Sequence, residues 1–201
     1  MKKQILILSL LSLVVLVQFA VPLQMIRSQE QILKKGVPYR FLTQPFDPSD
    51  PFQGRYVWLS IQNTGIPCDV EEIKKLERHQ TIYAHLSTTN GFAYFSGWSL
   101  EKPDHGDYFK TKIRYLRTYR TNSIELVFPF NEFYMNEEKA PQAEKVARTN
   151  QGTTNCWATI RFLNGKGALE NVYINGAPIE TQLKKTSHSP SKNNIIEIHE
   201  L

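Results

Sequence analysis

Residues 154–174, TNCWATIRFLNGKGALENVYI, contain two β-like runs on either side of a turn. In the first run every second residue is apolar, so these residues share one face of a strand: Cys156, Ala158, Ile160 and Phe162. The intervening residues 164–167, NGKG, have the composition of a hairpin turn. The stretch therefore predicts a β-hairpin of residues 154–163 and 168–174 with one buried face.

Short runs of the same kind, separated by turn residues, precede this hairpin. The candidate strands are 37–43, 55–62, 81–87, 91–98, 108–118 and 123–130. Two short helices are predicted between strands. One follows the capping-box pattern Asp69-Val70-Glu71-Glu72 and ends near His79, and the other covers residues 141–148. The predicted fold class is mainly β: an antiparallel sheet or small barrel-like domain with one or two short helices.

The N-terminus combines positive charge with a long apolar run. Lys2 and Lys3 precede residues 5–26, and about 20 helical residues are enough to cross a bilayer. Cleavage after Ala20 is disfavoured, because Gln18 stands where a signal peptide needs a small residue and Pro22 follows. We therefore predict one retained transmembrane helix, with the N-terminus in the cytoplasm and the rest of the chain outside it, in the periplasm or at the cell surface.

The chain divides into three segments by composition: a signal-anchor at 1–35, a β-rich domain at 36–180 and a polar tail at 181–201, which we expect to be disordered. Apolar residues make up 41% and charged residues 21% of the 201 residues, as in globular proteins. The net charge of +5 is spread along the chain, so we expect no nucleic-acid partner. The predicted lipid contact is the bilayer around residues 5–26.

Residues 47–59, DPSDPFQGRYVWL, resemble the motif of the GDYXXLXY family of bacterial membrane-associated proteins, which follows an Asp-Pro-rich loop. Further segments resemble the family in the same order, so the resemblance covers about residues 4–180. Arg55 stands where the family has Asp, and Ile61 where it has its last Tyr. A literal GDY at 106–108 has no preceding Asp-Pro loop, and we interpret it as coincidence. The resemblance implies an architecture without an assigned chemistry, and a multipass membrane protein as the partner.

Six motif residues are assigned a structural role: Asp47, Pro48, Asp50, Gly54, Tyr56 and Leu59. Gly54 permits a tight turn from loop to strand, and Tyr56 and Leu59 anchor opposite faces of the strand. Arg55 cannot serve as a general base or metal ligand, and Asp47 and Asp50 lack the dense oxygen ligands of a calcium site. We therefore predict no catalytic residue, no metal and no cofactor.

Cys68 and Cys156 are a candidate disulfide if the domain faces an oxidising compartment. The alternative is two buried thiols, which the apolar strand face of Cys156 favours.

The first hypothesis for function is an anchored, non-enzymatic interaction or assembly domain that binds another membrane protein in the bacterial envelope. Two alternatives remain open. One is a membrane-anchored hydrolase of the Ser/Lys type, for which Ser49 is the only serine in the loop before Gly54. The other is a binding domain for an envelope ligand.

Overall fold

The computed structural model describes residues 2–46, 56–62, 64–118, 122–134 and 156–181. Helix α1 covers Lys2–Lys35, and the short helix α2 covers Val70–Ile73. The strands are β1 Val37–Phe46, β2 Tyr56–Ile61, β3 Gly65–Pro67, β4 Thr81–Thr89, β5 Phe92–Ser99, β6 Tyr108–Arg117, β7 Ser123–Leu126, β8 Glu132–Tyr134, β9 Cys156–Leu163, β10 Lys166–Ile174 and β11 Ala177–Pro178.

The strands form two antiparallel sheets. The first sheet has the order β11-β10-β9-β1-β2-β8, and the second has the order β3-β7-β6-β4-β5. The predicted fold class, mainly antiparallel β after one apolar N-terminal helix, is therefore confirmed. Strand β1 is longer than expected and reaches Phe46, because Pro45 pairs with Leu59 of β2 instead of opening the loop.

Two-residue Asn-Gly turns set the register of the hairpins. Asn164 and Gly165 have φ angles of 50° and 77°, which suit the type I′ turn that matches the twist of paired strands. Leu163 and Lys166 are consequently paired, and the predicted hairpin of β9 and β10 is confirmed with a tighter turn. The same dipeptide, also with positive φ angles, connects β4 to β5 and β10 to β11.

The two antiparallel sheets meet at one corner of the domain. The Lys110 amide of β6 donates a 2.9 Å hydrogen bond to the Gly165 carbonyl at the tip of the β9–β10 hairpin. A Cβ at Gly165 would lie 2.5 Å from a ring carbon of Tyr108, so only glycine allows this approach. Within the second sheet, β3 contacts β5 although the two strands occupy opposite edges, so this sheet is curved.

Aromatic side chains dominate the main core between the sheets. Phe109 of β6 lies at its centre, with ring centroids 5.4–6.5 Å from those of the surrounding rings: Phe95, Phe128, Phe130 and Phe162. Fully burying one such side chain contributes about 1.5–3 kcal/mol. A second cluster lies further along the first sheet and contains Leu59, Cys156, Ala158, Val172, Ile174 and Ile179.

The structure corrects the prediction for α2. The helix ends at Ile73 and not near His79, and Asp69 makes no side-chain capping bond. Val70 is 47% exposed, whereas Ile73 and Leu76 are buried. The chain leaves the helix early because His79, with φ 65°, turns it towards β4 and donates its amide proton to the Ile113 carbonyl. The predicted helix at 141–148 and the predicted tail from residue 182 lie outside the described residues.

Candidate functional site

Helix α1 is a candidate membrane span. Its segment Leu10–Lys35 is long and apolar enough to cross a bilayer, and none of its most apolar window is buried against the rest of the chain. Phe19, for example, is 74% exposed. Contiguous apolar surface of this extent is typical of membrane or protein contact. The helix is therefore consistent with membrane anchoring through residues 5–26.

The end of α1 is fixed to the first sheet at a site that we name the joint, formed by Ile32, Gly36, Arg161 and Glu170. Ile32 is 3% exposed, and β1 begins at Val37, directly after Gly36. The Gly36 amide donates to the Ile32 carbonyl at 2.8 Å. Helix and sheet therefore meet without a flexible linker.

Arg161 of β9 completes the joint. Its Nη1 donates a 3.0 Å hydrogen bond to the Gly36 carbonyl, and its Nη2 lies 2.9 Å from Glu170 Oε1 on β10. A cation at this position also interacts favourably with the C-terminal end of the helix dipole. A Cβ on Gly36 would lie 2.5 Å from the Ile32 carbonyl oxygen, so the packing here requires glycine. Sequence analysis placed the boundary between anchor and domain at residues 35 and 36 but missed Arg161 and Glu170, which only the β9–β10 pairing brings there.

The family motif continues into β2, which lies between β1 and β8 in the first sheet. Leu59 is 2% exposed and packs in the second cluster. Tyr56 pairs with Tyr134 in the backbone register. Asp47, Pro48, Asp50 and Gly54 lie outside the described residues, as does Ser49 of the hydrolase hypothesis. The structural role assigned to the six motif residues stays a prediction, and so does the hydrolase alternative.

The literal Gly106-Asp107-Tyr108 has contacts of its own. Gly106 has φ 82°, and the Asp107 carboxylate accepts a 2.8 Å hydrogen bond from the Tyr39 hydroxyl. Burial, followed by this bond and the charge of Asp107, raises the pKa of Tyr39 well above its ordinary value. Sequence analysis interpreted this tripeptide as a coincidental match to the family motif. The hydrogen bond between Tyr39 and Asp107 was not predicted.

A cleft of ≈ 280 Å³, which we name the motif cleft, opens between β2 and the end of the second sheet. Leu59, Ser60 and Ile61 line it from the motif strand. The opposite side carries charged and aromatic residues of β6 and β7: Arg114, Tyr115, Arg117 and Glu125. Sequence analysis did not single these out, although residues 114–117, RYLR, place two basic side chains beside a tyrosine.

The predicted candidate disulfide is not formed. Cys68 lies between β3 and α2 at the edge of the main core, whereas Cys156 begins β9 and is buried in the second cluster, and both side chains are thiols. Cys68 packs against the main core and Cys156 lies in the second cluster, so the two thiols are in different parts of the domain. The Cys68 thiol donates to Glu72 Oε2 at 3.4 Å, and burial followed by this bond raises the pKa of Cys68.

Cys68 also lines a shallow depression of ≈ 670 Å³ beside β3. Among the described residues, no group of three or more His, Cys, Asp and Glu side chains is placed to hold a metal ion. The expectation that the protein has no metal and no cofactor stays a prediction.

One apolar helix fixed to a single antiparallel β body defines the class of protein: a β domain carried on a candidate membrane anchor. The chain belongs to the GDYXXLXY family, because the family profile described as GDYXXLXY protein matches residues 18–172. The resemblance found in the sequence is thereby confirmed. No curated protein and no solved structure matches the chain.

Proposed function

We propose that the protein is a membrane-anchored domain that acts outside the cytoplasm as a non-enzymatic interaction or assembly partner of another membrane protein. The main support for this proposal is the rigid connection between helix and sheet at the joint. Ile32 is buried against the domain, and Arg161 links the Gly36 carbonyl to Glu170. Such a connection fixes both the orientation and the height of the domain above the bilayer.

The geometry suits a partner that is also held in the membrane. If the bilayer ends near Ile26, residues 27–35 continue the helix for roughly 14 Å at 1.5 Å per residue before the sheet begins. A domain fixed at one height loses less orientational freedom when it binds a second membrane protein, and this lowers the entropic cost of association. A domain acting on soluble ligands gains nothing comparable from a rigid joint.

Orientation is tested separately from partnership. Lys2 and Lys3 favour a cytoplasmic N-terminus, which places the β body outside. A reporter enzyme that is active only outside the cytoplasm, fused after Leu201, should be active. A reporter active only in the cytoplasm should be silent at the same position, and the reverse pattern would reject this topology.

The partner is tested by affinity purification of the full-length protein in mild detergent, with a flexible Gly-Ser insertion between Lys35 and Gly36. We expect a membrane protein to co-purify with the parent and to be lost or strongly reduced with the insertion. The same insertion between Asp104 and His105, in the exposed β5–β6 connection, is the matched control and should retain the partner. Equal recovery with both insertions would show that the rigid joint does not matter, and failure to recover any membrane protein would reject the function.

A further inference from the structure

The motif cleft connects the family motif strand with a basic corner of the second sheet. Leu59, Ser60 and Ile61 form one side, and Arg114, Tyr115, Arg117 and Glu125 of β6 and β7 form the other. Leu126 and Phe128 add apolar surface to the lining. The cleft therefore has a mainly polar lining, in which cationic groups lie beside a smaller apolar part.

A β-bulge places Arg114 in the cleft lining. The pairing of β6 with β7 passes from Ile113↔Leu126 to Tyr115↔Glu125, so Arg114 is the extra residue on its strand. Ile113 is fully buried and Leu116 packs against the core, which leaves Arg114 and Tyr115 as two consecutive exposed residues. Bulges commonly redirect side chains next to functional sites.

The charges in the cleft are not balanced. Arg117 Nε lies 3.2 Å from Glu125 Oε1, so the carboxylate of the lining is engaged. The Arg114 guanidinium lies 5.2 Å from the centre of the Tyr115 ring and forms no salt bridge within the part of the chain that the structure describes. Arg78 lies 5.8 Å from the same ring but does not line the cleft. Stacking on tyrosine leaves the planar edge of a guanidinium available for two parallel hydrogen bonds to an oxyanion.

Size limits the occupant. The ≈ 280 Å³ of the cleft is at the lower end of the roughly 300–1,000 Å³ usual for small-molecule and cofactor sites. One side chain fits this volume, with its methylene groups against the half-buried Ile61 and Phe128 and its charged end at Arg114. The lining carries two arginines and one glutamate, and a group with a single negative charge neutralises it.

We propose that the motif cleft binds one carboxylate, carried by an acidic side chain of the partner membrane protein. This assignment rests on the proposed function and specifies the chemistry of the contact. Arg114 binds the carboxylate, Tyr115 contacts the guanidinium, and Ile61 of the motif strand contacts the methylene groups.

Methyl NMR of the full-length protein in detergent tests the cleft directly, with Leu59 and Leu126 as reporters. The probe is a blocked tripeptide with a central glutamate, and its glutamine analogue is the matched ligand control. We expect saturable shifts with the glutamate peptide only. Arg114→Gln should weaken binding at least tenfold, while Lys102→Gln, which removes an equal charge from an exposed residue outside the lining, should leave it unchanged.

In the titration, the assignment is overturned by no saturable shift, by equal shifts with the glutamine peptide, or by inorganic phosphate binding more tightly than the glutamate peptide. Methyl signals far from the cleft report whether Arg114→Gln is folded. Co-purification then separates the two proposals. If Arg114→Gln captures the partner as well as the parent does, the cleft assignment fails and the proposed function stands. If the parent captures no membrane protein, the proposed function is rejected. The peptide titration then still shows whether the cleft binds a carboxylate.

Discussion

The Tyr39 hydroxyl donates a 2.8 Å hydrogen bond to the Asp107 carboxylate, 68 residues further along the chain. This bond connects β1 of the first sheet to the segment that enters β6 of the second. The two residues also flank the corner where the β9–β10 hairpin meets β6, since Tyr39 packs edge-on against Phe162 and Tyr108 lies against Gly165. The contact thus reinforces the place where the two sheets join.

Tyr39→Phe should change how the free energy of unfolding depends on pH in alkaline solution. Because the folded state raises the pKa of Tyr39, the stability gained from the protonated phenol is complete below the unfolded pKa, about 10, and is lost as pH rises above it. We expect the parent to lose stability above about pH 10 more steeply than Tyr39→Phe, which at neutral pH is less stable by about 1 kcal/mol. Denaturant melts across this pH range measure both effects.

Tyr94→Phe is the control for this comparison. It removes a half-buried hydroxyl for which the described residues show no hydrogen-bond partner. Its effect on the free energy of unfolding at neutral pH should be smaller than that of Tyr39→Phe, because no hydrogen bond is lost. Parallel pH profiles for the parent and Tyr39→Phe would show that the bond to Asp107 does not shift the titration of Tyr39.

Gly36→Ala should loosen the joint. The new Cβ would lie 2.5 Å from the Ile32 carbonyl oxygen and 3.0 Å from the Arg161 Cβ, so helix and sheet must move apart. Overpacking of this kind typically costs about 1–3 kcal/mol. Gly97→Ala is the matched control, because its nearest neighbour would be His85 Nδ1 at 3.8 Å. In denaturant melts of full-length protein, Gly36→Ala should have a lower free energy of unfolding than Gly97→Ala. Equal free energies would show that the joint accommodates the added Cβ without loss of stability.

Local patterns predicted most of the long strands, whereas the strand predicted at 123–130 ends at Leu126 and the short strands β3, β8 and β11 were not predicted. The alternation from Cys156 to Phe162 and the Asn164-Gly165 turn are properties of neighbouring residues, and they gave the β9–β10 hairpin to within two residues. The apolar N-terminal run is equally local. Both are determined by periodicity and by backbone preferences that need no tertiary contact.

The candidate site was harder to predict because its parts meet only in the folded chain. The bulge that displaces Arg114 arises from the register of β6 against β7, and alternation along β6 alone does not indicate it. Arg161 reaches Gly36 across 125 residues. The early end of α2 has a similar origin, because the chain must turn at His79 to bring its amide to the Ile113 carbonyl.

Gly165→Ala should be more costly than Gly91→Ala, although both glycines occupy the same kind of turn. Their φ angles are 77° and 81°, so the backbone strain of an added Cβ is nearly equal. At Gly91 the Cβ would have no neighbour within 4 Å, whereas at Gly165 it would lie 2.5 Å from a Tyr108 ring carbon. The difference between the two variants in thermal melts therefore measures the contact between the sheets. If Gly91→Ala is the more destabilised, the corner is less tightly packed than its geometry indicates.

Leu59→Ala tests whether the motif strand acts through structure. Leu59 is 2% exposed among the residues of the second cluster, and truncating such a leucine typically costs about 2–5 kcal/mol. Its exposed neighbour Ser60 lines the motif cleft and serves as the control for stability alone: Ser60→Ala should change the free energy of unfolding by less than about 0.5 kcal/mol. Denaturant melts of full-length protein, paired with partner co-purification, distinguish the possibilities. A destabilised Leu59→Ala supports a structural role. A variant that melts like the parent yet loses the partner would instead place Leu59 on the binding surface.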